Sequence, residues 1–110
     1  MANEFKNAYL DASTSNSDII GAIASSTTAV VMTLRATNID GSNDATVDVE
    51  VVDGGGSAAS YLAKGMNVPA GSSIELAGDS KIVLETTDKI QGLASASGDI
   101  EFFASYVLIT

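Results

Sequence analysis

The sequence is 110 residues long, 45% hydrophobic but only 5% aromatic, and carries a net charge of −9. That length holds one domain with a core and is too short for two. Its 14 carboxylates outnumber five cations (Lys6, Arg35, Lys64, Lys81 and Lys89) that are scattered singly, which argues against binding to nucleic acid, where clustered Lys and Arg must neutralise phosphates, and against an anionic membrane surface.

The opening Met-Ala-Asn-Glu-Phe-Lys lacks the basic-then-apolar pattern of a signal peptide, and no apolar run approaches the ~18–20 residues of a membrane helix. The expectation is a chain made in the cytoplasm and soluble there. Phe5–Leu10 reads as a first strand. Residues 1–16 form either that strand and its connection or an arm that docks on a neighbour. Ile19–Ile23 follows as a short strand after the Ser/Asn/Thr-rich stretch Asp11–Ser17.

The dominant period from there is two, the signature of strands with one face in a core. Val30, Met32, Leu34 and Ala36 alternate with Val31, Thr33, Arg35 and Thr37. The next strand sets Val47, Val49 and Val51 against Thr46, Asp48 and Glu50. Asp40-Gly41-Ser42-Asn43-Asp44 between them reads as a hairpin loop. Asp53-Gly54-Gly55-Gly56-Ser57 is too glycine-rich for a strand. Ser60–Val68, Ser73–Leu76, Lys81–Leu84 and Asp88–Ala94 are further short strands, punctuated by Pro69-Ala70-Gly71, Ala77-Gly78-Asp79-Ser80 and Thr86-Thr87-Asp88. The last strand, Asp99–Ile109, is apolar on both faces toward its end, which marks a central strand or one covered by a partner. About eight or nine short strands and no 3.6-residue period predict a single all-β domain, an antiparallel β-sandwich with a jelly roll among its forms.

The chemistry-bearing residues are sparse. With no Cys and no His, disulfides, thiolate metal sites and every Ser-His or Cys-His nucleophile are excluded. Asp48 and Glu50 share a strand face, yet at polar positions of an alternating strand they read as a solvated surface, where a glycosidase needs a carboxyl of raised pKa in a cleft. Ser60 with Lys64, or Ser80 with Lys81, lacks an oxyanion hole. Aligning Gly41 with the glycine of an EF-hand loop puts Ala36 and Val47 at ligand positions, so the calcium motif fails and Asn38–Asp44 reads as a turn. Gly54-Gly55-Gly56 is followed by no Lys-Ser/Thr and is no phosphate loop. Of the aromatics, Phe102 and Tyr106 share one face of the last strand and Phe103 takes the other. Phe5, Tyr9 and Tyr61 stand apart, and core packing is the expected role of most. No catalytic, cofactor-binding or metal-binding residue is assigned.

In order along the chain, Phe5-Lys6-Asn7-Ala8-Tyr9, Ser26-Thr27-Thr28-Ala29-Val30-Val31, Thr46-Val47-Asp48-Val49-Glu50-Val51, Tyr61-Leu62-Ala63-Lys64, Val68-Pro69-Ala70-Gly71-Ser72-Ser73-Ile74-Glu75-Leu76, Lys81-Ile82-Val83-Leu84-Glu85 and Ser105-Tyr106-Val107-Leu108-Ile109 together resemble a group of small structural proteins of tailed bacteriophages. The resemblance covers nearly the whole length and rests on order and spacing, not on any one motif. It implies a non-enzymatic β-sandwich located in the virion, acting as a capsid decoration or cement protein on the outer shell. It further implies the major capsid protein or other virion proteins as partners, homo-oligomer or lattice neighbours, and no cofactor. A tail- or neck-associated virion protein is the alternative within that class, and a carbohydrate-binding or adhesin module the alternative outside it.

Overall fold

Alternating apolar and polar residues with glycine- and Asx-rich breaks give nine strands in a computed structural model that describes residues 2–54, 59–77 and 81–110. They are β1 (Asn3–Asp11), β2 (Ser17–Ile20), β3 (Thr28–Asn38), β4 (Ala45–Val52), β5 (Ala59–Val68), β6 (Ser73–Glu75), β7 (Ile82–Leu84), β8 (Lys89–Ala94) and β9 (Ile100–Ile109). No helix occurs among the described residues. One sheet runs β1-β9-β3-β6, with β7 also on β3, and the other runs β2-β8-β4-β5. All pairings are antiparallel. Two facing antiparallel sheets in this order form a jelly-roll sandwich, its sixth strand position split between β6 and β7.

The split has a local cause. Beyond β6 the N–H of Leu34 meets no strand and donates instead to Oε2 of Glu75 at 2.8 Å, which also accepts from Ala77 N at 3.2 Å. A carboxylate thus replaces a missing ladder partner. β9, flanked by β1 and β3, is the central strand its two apolar faces predict.

The inner faces pack into one cluster led by Phe102, Leu34, Leu84, Ile90, Ile100, Val31, Val47, Val49 and Val68, all essentially without solvent contact. Among the described residues, Phe102 is the only aromatic ring fully in it. Room for that ring comes from Gly92 on the opposite sheet, where an added Cβ would stand 3.2 Å from Phe102 Cε2 and 3.0 Å from Ile19 Cδ1.

Three expectations are corrected. The β3 register slips between Val31 and Thr33, because Met32 is an extra residue opposite β9. This bulge reverses the face of the strand. Ala29 and Val31 are buried before it, Leu34 and Ala36 after it, and Val30 turns to the outside with Thr33 and Arg35. Second, Asp40–Asp44 is no hairpin, since β3 and β4 lie in different sheets, and the loop is a corner. Third, core packing is not the role of most aromatics, because Phe5, Tyr9 and Tyr61 are exposed.

The corner is held by short-range polar bonds. Asn38, the buried polar residue, donates from Nδ2 to Asn43 O at 2.9 Å and Val68 O at 3.0 Å, and its Oδ1 accepts from Asp40 N at 2.9 Å. Asp40 Oδ1 accepts from Ser42 N at 2.8 Å, and Asp44 Oδ1 accepts from Ala70 N at 3.0 Å. In β5, two residues (Lys64 and Gly65) bulge opposite Asp48. Gly65 takes φ +62°, and its N–H donates to Asp48 Oδ1 at 2.7 Å. These backbone N–H donors hold the carboxyls of Asp40, Asp44 and Asp48 below their ordinary value of 3.8.

Two outcomes follow for stability. Phe102→Ala leaves a cavity between the sheets and is expected to cost about 3–5 kcal/mol in urea unfolding, whereas Tyr61→Ala on the surface costs under about 1 kcal/mol. Below about pH 4 the unfolded chain binds protons that the three folded carboxylates refuse, so stability is complete above that pH and falls as acid is added through their depressed folded values. The urea midpoint should therefore fall from about pH 4 towards pH 2, and less steeply in the D40N/D44N/D48N variant.

Candidate binding face

The turned phase of β3 builds the feature that carries most chemistry, the outer face of the five-stranded sheet. The register places Phe5 of β1 against Val107 of β9, Val107 against Val30 of β3, and Val30 against Val83 of β7. Four apolar side chains therefore form one row across four strands. Its ends are the most open, with Phe5 72% and Val83 57% exposed. Four residues further along β1 and β9, a second row runs Tyr9, Phe103, Arg35 and Glu75. The Tyr9 and Phe103 rings meet at 5.6 Å between centroids and a 51° tilt, and Arg35 Cζ lies 6.0 Å from the Phe103 centroid. Tyr9 is 74% exposed. Beside it a shallow depression of about 290 Å³ is lined by Tyr9, Asp11, Arg35, Thr37, Glu101 and Phe103, among others. A polar row of Asn7, Ser105 and Thr33 separates the two.

An apolar row open to water on a strongly acidic chain is costly unless something covers it, and such patches mark contact surfaces. This face presents apolar area, with aromatic rings, one guanidinium and the carboxylates of Asp11, Glu75 and Glu101 at one end.

The residues weighed for catalysis are brought to no common site. Asp48 accepts from Lys64 Nζ at 3.2 Å as well as from Gly65 N, while the Glu50 carboxylate takes the amide of Gln91. The lowered carboxyl of Asp48 is the opposite of a general acid. Lys64 has its pKa raised, chiefly by its hydrogen bond to Asp48, and stacks 4.8 Å from the Tyr61 centroid; it is held as a cation, unlike a lysine that activates Ser60. Ser80, of the Ser80–Lys81 pair, lies outside the described residues, as do Gly55 and Gly56 of the glycine run. The oxygens of Asp40 and Asp44 in the corner loop face N–H donors of their own chain. Among the described residues no three metal-ligating groups converge.

No family model matches this chain, and no curated protein matches it in sequence. Solved structures do. A chain from Bacillus endospore appendages, described as a novel family of disulfide-linked pili, superposes with a TM-score of 0.58 at 17% identity over 99% of this chain and 87% of that one. A chain of the infectious bursal disease virus Gx strain gives 0.54 at 12% identity over 98% of this chain and 30% of that one. A pentameric capsid protein isolated from metagenomic phage sequences gives 0.46 at 16% identity, covering 91% and 59%. At such identities, what the appendage and bursal disease virus chains share with this one is the fold alone.

Proposed function

We propose that this chain is a non-enzymatic structural component of a bacteriophage particle, a decoration or cement protein seated on the outer capsid shell through the outer face of its five-stranded sheet. The observation that carries the reading is the Phe5–Val107–Val30–Val83 row. A continuous apolar stripe on a sheet suits a large, flat protein surface more than a small enclosed ligand. The sequence resemblance to virion proteins and the sandwich fold shared with a virus chain and an appendage chain support a building-block role. The net charge of −9 keeps such a protein soluble at high copy number before it docks. Repetition over many identical shell sites then multiplies a modest single-site affinity.

A second reading has its own support. Tyr9, exposed beside the carboxylates of Asp11 and Glu101, presents a ring for stacking and acceptors for hydroxyls, as a carbohydrate-binding module would.

Binding of the purified chain to shells stripped of it tests the first reading. Val83 lies far from β1 and is open to solvent, so Val83→Asp should preserve the fold and weaken shell binding by roughly tenfold or more, about 1.4 kcal/mol. Shell binding by Val83→Asp equal to that of the parent chain would contradict it, and recovery of the chain only with necks or tails would move the assignment there. Specific retention on a glycan array, lost in Tyr9→Ala, would favour the carbohydrate reading instead.

A further inference from the structure

β1 is the edge of the five-stranded sheet, and at nine residues without proline it is a long one. The hydrogen bonds that bracket it, Thr110 N to Ala2 O at 3.0 Å and Ala12 N to Ile100 O at 2.9 Å, belong to even-numbered residues. Its pairing with β9 runs from Asn3 to Asp11 without a shift. Antiparallel alternation therefore turns the N–H and C=O of Asn3, Phe5, Asn7, Tyr9 and Asp11 towards the free edge. Such an edge is a template for another strand. Natural edges are blunted by charge, proline or bulges, and the stretch between Phe5 and Tyr9 carries only Lys6, already paired with Glu4 at 3.0 Å.

We propose that the partner of this edge is β1 of a second copy, paired antiparallel about a two-fold axis at Asn7 to give a ten-stranded sheet across a symmetric dimer. The sequence of β1 is complementary to itself in that register. Asn7 meets Asn7 of the copy, so two amides bond on the axis. Phe5 meets Tyr9 on both sides, giving two aromatic cross-strand pairs, and Asn3 meets Asp11, amide against carboxylate. Lys6 faces Ala8 and Glu4 faces Leu10, so no like charges oppose. Moving the axis to Lys6 sets ammonium against ammonium, and moving it to Ala8 sets Phe5 against Asp11. Each alternative loses the aromatic pairs.

The same register joins the outer rows. The Val83–Val30–Val107–Phe5 row of one copy runs directly into the Tyr9–Phe103–Arg35 row of the other, making the apolar face continuous across the dimer. The pairing is independent of whether the chain belongs to a particle. Mutual repulsion of two chains of net charge −9 opposes it, so association strengthens with added salt.

Sedimentation of the full chain over a concentration series, at low and high salt, tests the inference. The expected result is a reversible monomer–dimer equilibrium. Asn7→Pro removes only an N–H that faces the edge and should weaken the dimer by roughly tenfold or more with the circular dichroism spectrum and urea midpoint retained. Since the chain has no cysteine, single-cysteine variants read the register. Asn7→Cys brings two Cα atoms to about 5.5 Å, within disulfide range, and should cross-link under mild oxidant while Lys6→Cys and Ala8→Cys do not. A monomer at every concentration, a dimer indifferent to Asn7→Pro, open-ended polymers, or cross-linking through position 6 or 8 in place of 7 would each overturn the proposal.

Discussion

The sandwich depends on the packing of Phe102 against Gly92. A chain with three Phe, three Tyr and no Trp has few large groups with which to fill the space between two sheets, and most of its core is aliphatic and small. One ring placed centrally on β9 covers more apolar area than any neighbour, but it fits only where the facing strand gives way. Gly92, hemmed in by Ile19, Phe102 and the backbone of Asp48, is that place. β9 in turn pairs with both β1 and β3, so the contact fixes the strand to which the rest of its sheet is attached.

From β9 outwards, one irregularity decides how the molecule meets its surroundings. Had β3 kept a strict alternation, Val30 would lie in the core and Val31 outside. The bulge at Met32 reverses this and lines Val30 up with Phe5, Val107 and Val83. Residues that cannot all fit inside a small sandwich are collected on one outer face instead of being scattered. The appendage chain with the same fold comes from a disulfide-linked assembly. The present sequence has no cysteine, so no disulfide of its own can link it to a neighbour.

Strand positions were legible because alternation and turn chemistry are local. Val47, Val49 and Val51 against Asp48 and Glu50, or Pro69-Ala70-Gly71 before β6, announce themselves within a few residues. The central place of β9 was legible too, since both its faces are apolar. Sheet membership was not, because Asp40-Gly41-Ser42-Asn43-Asp44 serves equally as a hairpin or as a corner between sheets, and the choice rests with Asn38, whose amide reaches a carbonyl 30 residues away at Val68. The bulge was equally silent, since Met32 sits comfortably in an apolar alternation and only the count against β9 exposes it. The outer apolar face was hidden for that reason. Phe5, Tyr9 and Val83 lie far along the chain from Val107, Phe103 and Val30 and become their neighbours only through long-range pairing. The signal available for it was the surplus of apolar residues on the outward positions of β9, Phe103, Val107 and Ile109.

The most direct test of the account is a reconstruction of the assembled particle that resolves this chain's side chains. The expected result is the Phe5, Val107, Val30 and Val83 row buried against a shell protein, with the β2-β8-β4-β5 sheet turned to solvent. A chain seated by that second sheet, with the row left facing water, would contradict it.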